Sequence, residues 1–312
     1  MTNLILPIFT DPEAARVHLE ALHWPFGPIC PHCGTVGKAT LVKGKSHRPG
    51  MYQCNSCREP FTVTVGTVIE KSHIPLNKWV LGFHLMVASK KGISAHQLYR
   101  MLGLGSYRSA WFMAMRIREA MTPAKDAGQI GGPGKLVESD ETELGLSHKT
   151  KRRPGRRRAE NKRFVSPVER GCQVRSRKIT GADGYIGLEV QAIIFKELHP
   201  ESMLHTDYAW HYPLSVPKGK RERVNHSKEY VAKGNDGSPV HTNSAEGYFS
   251  IVKRGLVGTY QHMREQPLPR HLAEFDFRMN NRVKPGVNDT MRAEKAIKDA
   301  RDKRLTYFTV SG

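Results

Sequence analysis

Three acidic residues stand in settings that could hold divalent cations around a phosphate group. Asp140 and Asp207 each close a short run of alternating apolar and polar residues that is typical of a strand. Glu246 lies in a later segment with helical periodicity. Carboxylates are the ligands that Mg²⁺ prefers, and two such ions about 3.5–4 Å apart promote phosphoryl transfer. We therefore predict a site for two Mg²⁺ or Mn²⁺ ions on these three acids.

The third acid belongs to the stretch 241–262, HTNSAEGYFSIVKRGLVGTYQH. We place Asn243 at the N-cap of a helix from Ser244 to about Arg254, because asparagine accepts hydrogen bonds from free amides there. We expect the helix to stop at Gly255. One face then presents four polar residues, Asn243, Glu246, Ser250 and Lys253. Another face carries the apolar residues Ala245, Phe249, Val252 and Leu256. A solvated helix with a loose Glu–Lys pair is the simpler interpretation of this pattern.

Two cysteine pairs form a second group of candidate ligands, Cys30, Cys33, Cys54 and Cys57. Two residues separate the cysteines of each pair, and about twenty residues separate the pairs, which is the spacing of a four-cysteine zinc ribbon. We predict one structural Zn²⁺ held by the four thiolates. His32 is a competing ligand, but it lies inside the first knuckle, where we expect its ring to point outward. Contact with DNA and contact with protein are both open as the role of the ribbon.

Several motifs taken together resemble a known family. VESDETELG, HTD, HTNSAEGYFSIVKRGLVGTYQH and HLAEFDFRMNNR resemble the catalytic domain of bacterial insertion-sequence DDE transposases, in the zinc-ribbon-bearing ISXO-type group. The resemblance covers about Phe9 to Arg282 and implies a ribonuclease-H-like fold. It implies a site formed by four residues, Asp140, Asp207, Glu246 and Lys253. Asn243 competes with Glu246 for the third acidic place, and we prefer Glu246 because it shares a helix face with Lys253.

The resemblance implies a function as well as a fold. A transposase of this group binds the terminal inverted repeats of its element and catalyses metal-dependent DNA cleavage and strand transfer. Two element ends must be held together, so we expect at least a homodimer on DNA. Two other classes of protein remain as alternatives: a non-catalytic zinc-ribbon DNA-binding regulator, and a structure-specific nuclease that does not join strands.

The charge of the chain favours a nucleic-acid partner. The 312 residues carry a net charge of +20, which indicates binding to a polyanion. The segment 148–163, HKTKRRPGRRRAENKR, is predicted to be a loop that contacts phosphates through Arg152, Arg153, Arg156, Arg157 and Arg158. Lys253 and Arg254 are expected to contact DNA from the helix of Glu246. We find no apolar run of the roughly 20 residues that a membrane span needs, and no signal peptide, so we expect a cytoplasmic, nucleoid-associated protein.

The elements that position these residues are predicted to form a multidomain chain. Its segments are a helical lead-in at 1–25, a zinc ribbon at 26–66, a helix-turn-helix-like DNA-binding domain at 67–122, a linker at 123–135, an α/β ribonuclease-H-like catalytic domain at 136–285 and a charged tail at 286–312. Within the catalytic domain we predict a hairpin that turns at Glu169–Gly171. We also predict a strand or strand–helix segment at Ile186–Phe195.

The helix-turn-helix prediction rests on two helical patterns joined by a short turn. The first lies within 92–105 and opens with a serine cap, and the second spans 106–121. The second helix would present Tyr107, Arg108 and Arg116 to DNA. An ordinary helical bundle without groove contact is the alternative.

Overall fold

The structure, a computed structural model, describes residues 3–44, 46–124, 126–144, 162–171, 173–181, 185–208, 216–217, 219–261, 263, 265–282 and 286–306. The chain divides into two units. The first unit is formed by residues 1–122 together with 286–312, and the second unit by residues 123–285.

The first unit begins with two helices and a small sheet. Helix α1 spans Pro7–Thr10 and α2 spans Pro12–His23, whose first amides are capped by the Asp11 carboxylate. Strands β1 (Ala39–Leu41), β2 (Tyr52–Cys54) and β3 (Pro60–Phe61) form an antiparallel sheet in chain order. Its core is built on Cys30, Cys54 and Phe61.

Three further helices follow in the first unit. They are α3 (Leu76–Ala88), α4 (Ala95–Met101) and α5 (Tyr107–Ala120). The predicted serine cap of the first helical pattern is confirmed, since the Ser94 hydroxyl accepts from the amide of Gln97 at 3.1 Å. Ser106 caps α5 in the same way, accepting from the amide of Ser109 at 3.1 Å. Most of α5 is buried, so its exposed residues are concentrated at its N-terminus.

The end of the chain returns to the first unit. The segment predicted to be a charged tail contains helix α9 (Asp289–Lys298), which buries Ala293, Ala296 and Ile297. Arg292 on this helix donates to the carbonyl of Val87 at the end of α3, at 3.1 Å. These three apolar residues lie on one face of an otherwise charged helix and are buried, so this part of the segment is folded into the first unit.

The second unit is built on a mixed five-stranded sheet. Its strands are β4 (Leu136–Leu144), β5 (Lys162–Glu169), β6 (Arg177–Ile179), β7 (Met203–Thr206) and β8 (Arg221–Arg223), in the order β6-β5-β4-β7-β8. The pairs β4–β5 and β5–β6 are antiparallel, whereas β4–β7 and β7–β8 are parallel. The predicted hairpin turn is confirmed at Arg170–Gly171, where the amide of Glu169 donates to the carbonyl of Gln173 at 2.7 Å.

Helices cover both faces of this sheet. Helix α6 (Ile186–Glu197) packs on one face through Val190 and Ile194. Helix α7 (Asn243–Gly255), a π-helical turn (Leu256–Tyr260) and helix α8 (Leu268–Arg282) pack on the other face, against Phe164 and Val168. A two-stranded ribbon, β9 (Ala232–Lys233) and β10 (Pro239–Val240), precedes α7.

The prediction of a strand or strand–helix segment at Ile186–Phe195 is wrong in its strand part, because this segment is helical throughout. Its β-branched residues favour a strand locally. Val190, Ile194 and Leu198 nevertheless stand four positions apart, and all three enter one core with Val137 and Leu204 of the sheet. Packing against the sheet therefore overrides the local preference.

The helices in the described part of the chain do not combine the length and the apolar character that crossing a membrane requires.

Candidate active site and metal centre

The four cysteines of the first unit converge as a metal site requires. Their sulfur atoms all lie within 4.8 Å of one another, and the Sγ–Sγ distances are 3.6 Å both for Cys30–Cys57 and for Cys33–Cys54. Four sulfurs at about 2.3 Å from a tetrahedral Zn²⁺ would stand roughly 3.8 Å apart. The thiols are not joined as disulfides. The set therefore fits one structural zinc, as the spacing predicts.

Two matching turns bring the cysteines together. Gly34 donates to the carbonyl of Cys30 at 2.9 Å, and Arg58 donates to the carbonyl of Cys54 at 3.0 Å. Both donors have positive φ, 75° for Gly34 and 64° for Arg58. Glycine adopts this conformation without strain, whereas arginine does so at a cost. The equivalent geometry of the two turns explains why each pair needs two intervening residues.

The predicted acids on the strands lie side by side on the sheet. Across the parallel β4–β7 pair, Ser139 is the partner of Thr206, and the next residues along are Asp140 and Asp207. Asp207 directly follows the end of β7, as predicted. Asp140 does not end its strand, because β4 continues beside β5 to Leu144. Both acids are partly buried.

Helix α7 presents its polar face as predicted. Asn243, Glu246, Ser250 and Lys253 are exposed, while Ala245, Phe249, Val252 and Leu256 are buried. The buried residues share a core with Phe164 of β5. The apolar residues of the helix thus pack on the same face of the sheet as Asp140. Leu144, four residues after Asp140 on β4, points to the same face and packs against that core.

Both ends of this helix differ from the prediction. Asn243 is the first residue of the helix and not its N-cap; the N-cap is Thr242, whose side chain makes no capping hydrogen bond. Gly255 does not stop the helix, since it keeps right-handed dihedrals, with φ −69° and ψ −44°. The helical conformation continues into the π-helical turn and ends at Gln261, which has φ 47°. A local signal was overridden at each end by tertiary packing.

The charges around Asp140 indicate that the three acids approach one another. Burial, together with the negative charges of Asp207, Glu141 and Glu246, raises the pKa of Asp140 to about 7, against the opposing hydrogen bond from the Glu141 amide. A cation would relieve this crowding of carboxylates, so the donor set fits a hard divalent ion. Among the described residues only the four cysteines form a group of three or more ligands within 4.8 Å of one another. The acids therefore do not converge on a single point.

One buried acid near the site is not among the residues predicted from sequence. Glu138 is fully buried on β4, and it shares a strand face with Asp140 because the two residues are two positions apart. Its Oε2 accepts from the backbone amides of Ser244 at 2.7 Å and Ala245 at 3.3 Å. Glu138 therefore caps α7 in place of Asn243. The shared strand face was visible in the sequence, but the partner on α7 was not.

A histidine and a threonine border Glu246. His226 Nε2 lies 3.0 Å from Thr242 Oγ1 and 3.7 Å from Glu246 Oε1. The Thr242 hydroxyl donates to the same Glu246 oxygen at 3.4 Å. The Glu246 carboxylate is half exposed, so it keeps room for a further partner on its open side.

The residues predicted to contact DNA from α5 divide into two groups. Tyr107 and Arg108 are exposed at its N-terminus, and the Tyr107 ring stacks on His96 at 4.1 Å between centroids. Arg116 is only 8% exposed. Its Nη1 donates to the carbonyl of Glu70 at 2.9 Å, and its guanidinium lies 4.4 Å from the Phe112 ring centroid. Arg116 is thus a core residue, and the expectation that it faces DNA is not supported.

The remaining predicted DNA contacts lie on α7 and in the basic segment 148–163, whose last two residues belong to β5. Lys253 and Arg254 are exposed at the end of α7. Five arginines lie outside the described residues, namely Arg152, Arg153, Arg156, Arg157 and Arg158. Their predicted phosphate contacts stay predictions.

Comparison with known proteins agrees with this arrangement. The ISXO2-like transposase domain matches residues 130–280, and the transposase zinc-ribbon domain matches residues 10–59. A protein of Halobacterium salinarum, described as an uncharacterized protein in transposable element ISH50, is 25% identical over 303 residues, which span 90% of this chain and 96% of the relative. The four paired cysteines lie within the zinc-ribbon match, and the three acids lie within the transposase-domain match. The chain therefore carries a transposase zinc-ribbon domain followed by an ISXO2-like transposase domain.

Proposed function

We propose that the protein is the transposase of an insertion sequence, and that it cleaves and joins DNA at the acids of β4, β7 and α7. The observation that carries the proposal is the pairing of β4 with β7, which brings Asp140 beside Asp207, on the sheet face that the helix of Glu246 covers. Like-charged carboxylates are brought together at a cost in stability, and such clusters are common where catalysis needs a bound cation.

The sheet supports a ribonuclease-H-like fold for the second unit. An antiparallel β4–β5–β6 meander is continued on the other side of β4 by the parallel strands β7 and β8. Helices cover both faces, and the acids lie on the central strand, on its parallel neighbour and on one covering helix. This placement follows the expectation from the sequence motifs.

In this proposal each side chain of the site has a defined role. Asp140 and Asp207 hold the divalent ions, Glu246 completes the site, and Lys253 holds a phosphate oxygen beside the scissile bond. Two Mg²⁺ or Mn²⁺ ions, when bound, would activate the attacking oxygen and stabilise the leaving oxygen. Asn243 is exposed next to Glu246 on the same helix face, so it remains the competing third residue.

The reaction proceeds in two steps at these residues. Water first attacks a phosphodiester at the element end, so that a new phosphorus–oxygen bond forms and the bond to the 3′ oxygen breaks. The 3′ oxygen takes up a proton and leaves as a hydroxyl. That hydroxyl then loses its proton and attacks a phosphodiester of the target DNA. A new phosphorus–oxygen bond joins the strands, and the bond to the 3′ oxygen of the target breaks, so that this oxygen takes up a proton and leaves as a hydroxyl. No covalent protein–DNA intermediate is required.

The first unit is proposed to bind the terminal inverted repeats of the element. Helices α4 and α5 form a helix-turn-helix-like pair, and Tyr107 and Arg108 at the N-terminus of α5 are placed as a recognition helix places its base-contacting residues. Lys253, Arg254 and the basic segment 148–163 add phosphate contacts that do not depend on sequence. The net charge of +20 supports an extended DNA surface.

The assembly and its setting follow from this chemistry. Two element ends must be held together for joining, so we propose at least a homodimer on DNA. One Zn²⁺ stabilises the ribbon, and two Mg²⁺ or Mn²⁺ ions serve the acids. The protein would act in the bacterial cytoplasm, at the nucleoid, where its substrate is found.

A strand-transfer assay tests the proposed function. Purified wild type, Glu246→Gln or Asn243→Ala is incubated with Mg²⁺ and labelled DNA that carries the repeats flanking the gene. We expect joined products that are lost only with Glu246→Gln. Loss only with Asn243→Ala would move the third ligand to Asn243. Cleavage without joining would favour a nuclease, and shifted but uncut DNA would favour a regulator.

A further inference from the structure

A layer of buried and partly buried polar side chains lies next to the three acids along the chain. Glu138, His205 and Ser244 each stand two positions before one acid, on β4, β7 and α7 respectively. Arg170, in the turn after β5, connects them. We call Glu138, Arg170, His205 and Ser244 the support layer.

Glu138 is the centre of the support layer. It is fully buried, and both of its carboxylate oxygens are used. Oε2 accepts from the amides of Ser244 and Ala245, while Oε1 accepts from Ser244 Oγ at 3.0 Å and from Arg170 Nε at 2.6 Å. A carboxylate at a helix N-terminus satisfies free amides and is favoured by the helix dipole. Because the carboxylate is supplied by β4, the contact fixes the helix to that strand.

Arg170 extends the layer to the second acid-bearing strand. Its Nε binds Glu138, and its Nη2 lies 3.4 Å from Nδ1 of His205 and 3.1 Å from Nδ1 of His241. His205 is almost fully buried on β7, two residues before Asp207. Its other nitrogen, Nε2, stands 3.5 Å from Glu222 on β8. Hydrogen bonds and short contacts therefore link all three acid-bearing elements.

We propose that Glu138 is a positioning residue, which sets the distance of Glu246 from Asp140 and Asp207 through the α7 N-terminus. The inference rests on the proposed function, since it assigns the support layer to those three acids. Glu246 follows Ser244 within the first turn of α7, so a shift of that turn moves its carboxylate directly. Loss of the Glu138 contacts should weaken cation binding without any direct loss of a cation ligand.

Glu138→Gln is the main test variant. Glutamine keeps the shape of the side chain, but its single acceptor oxygen cannot serve both Arg170 and the α7 amides. Glu143→Gln is the matched control, because it removes one negative charge from the same strand at a partly exposed position beside Arg163. Mn²⁺ binding to the full, zinc-loaded chain is measured by calorimetry without DNA. Cleavage is then measured as a function of Mn²⁺ concentration.

We expect Glu138→Gln to weaken Mn²⁺ binding by roughly 10- to 100-fold, as removal of partners that orient metal ligands commonly does. The Mn²⁺ concentration for half-maximal cleavage should rise equally, and saturating Mn²⁺ should restore part of the rate. Glu143→Gln should match the wild type in both measurements. A merely structural role would lower the melting temperature and leave the Mn²⁺ dependence unchanged, which would overturn the proposal.

Ser244→Ala keeps the test decisive if Glu138→Gln does not fold. It removes only the hydroxyl bond to Glu138, so we expect roughly 2- to 5-fold weaker Mn²⁺ binding. Wild-type Mn²⁺ binding in every folded variant of the pair would also overturn the inference. Asp140→Asn separates this failure from that of the proposed function: if Asp140→Asn still cleaves DNA, the triad itself is wrong.

Discussion

The Glu138 carboxylate accepts a hydrogen bond from the backbone amide of Ser244 at 2.7 Å, across 106 positions of the chain. This contact joins the strand that carries Asp140 to the helix that carries Glu246. The position of Glu246 relative to Asp140 therefore depends on a contact between two other residues, Glu138 and Ser244.

Substitution of either strand acid should stop the chemistry without releasing DNA. We expect Asp140→Asn and Asp207→Asn to lower the rate of cleavage by about 10³-fold or more, because an amide is a much poorer ligand for a hard cation than a carboxylate. Binding to the inverted repeats, measured by gel shift, should stay within about twofold of the wild type. Wild-type cleavage by either variant would refute the assignment of the triad.

The raised pKa of Asp140 makes stability without Mg²⁺ depend on pH. Its folded pKa of about 7 exceeds the ordinary value of 3.8, so its contribution to stability is full below about pH 4 and is lost as the pH rises through 7. One pKa unit corresponds to about 1.4 kcal/mol. The rise of the Asp140 pKa from 3.8 to about 7 therefore corresponds to about 4 kcal/mol, and we expect Asp140→Asn to gain on that order in unfolding free energy over the wild type at pH 8, and little at pH 4.

Thermal melts of zinc-loaded protein in Mg²⁺-free buffer measure this difference. Adding Mg²⁺ at pH 8 should raise the melting temperature of the wild type and leave that of Asp140→Asn nearly unchanged, since the cation binds the deprotonated carboxylate. An equal response of the two proteins to Mg²⁺ would place the cation elsewhere.

Loss of zinc should unfold the ribbon. Cys54→Ser removes one of four converging thiolates, and we expect the bound zinc, measured by metal analysis, to fall from about one per chain to near zero. Cys172→Ser is the control, because Cys172 stands outside the two pairs, and it should keep the zinc. Mg²⁺-dependent stabilisation of the second unit should persist in Cys54→Ser. Full zinc retention by Cys54→Ser would contradict the four-cysteine site.

Two arginines of α5 should respond in opposite ways to truncation. Arg108→Ala removes an exposed charge, so we expect roughly 5- to 10-fold weaker binding to DNA, a smaller salt dependence and an unchanged melting temperature. Arg116→Ala removes a buried side chain that donates to Glu70 and packs on Phe112. It should lower the unfolding free energy by about 1–3 kcal/mol.

DNA affinity at matched salt and the melting temperature are measured for both variants. If folded Arg116→Ala lost specific DNA binding at full stability, the burial of Arg116 would not describe its role in solution.

The parts of the site that depend on local spacing could be predicted from the amino-acid sequence. The cysteine pairs specified the zinc ribbon, because two short turns place four thiolates with little help from the rest of the chain. The spacing of polar and apolar residues at three and four positions specified the exposed face of α7, since helical geometry fixes which residues share a face. Both predictions concern residues close together in the chain.

Tertiary structure alone decided which buried partner each residue meets. Asparagine is a residue type favoured at N-caps, yet Glu138 from a distant strand caps the helix in place of Asn243. Arginine is a residue type favoured at DNA contacts, yet Arg116 is enclosed by the core of its unit. Ile186–Glu197 is rich in strand-forming residues, yet it packs as a helix. In each case local preference is worth less than the burial of apolar surface and the satisfaction of buried polar groups, and these depend on neighbours that spacing along the chain does not reveal.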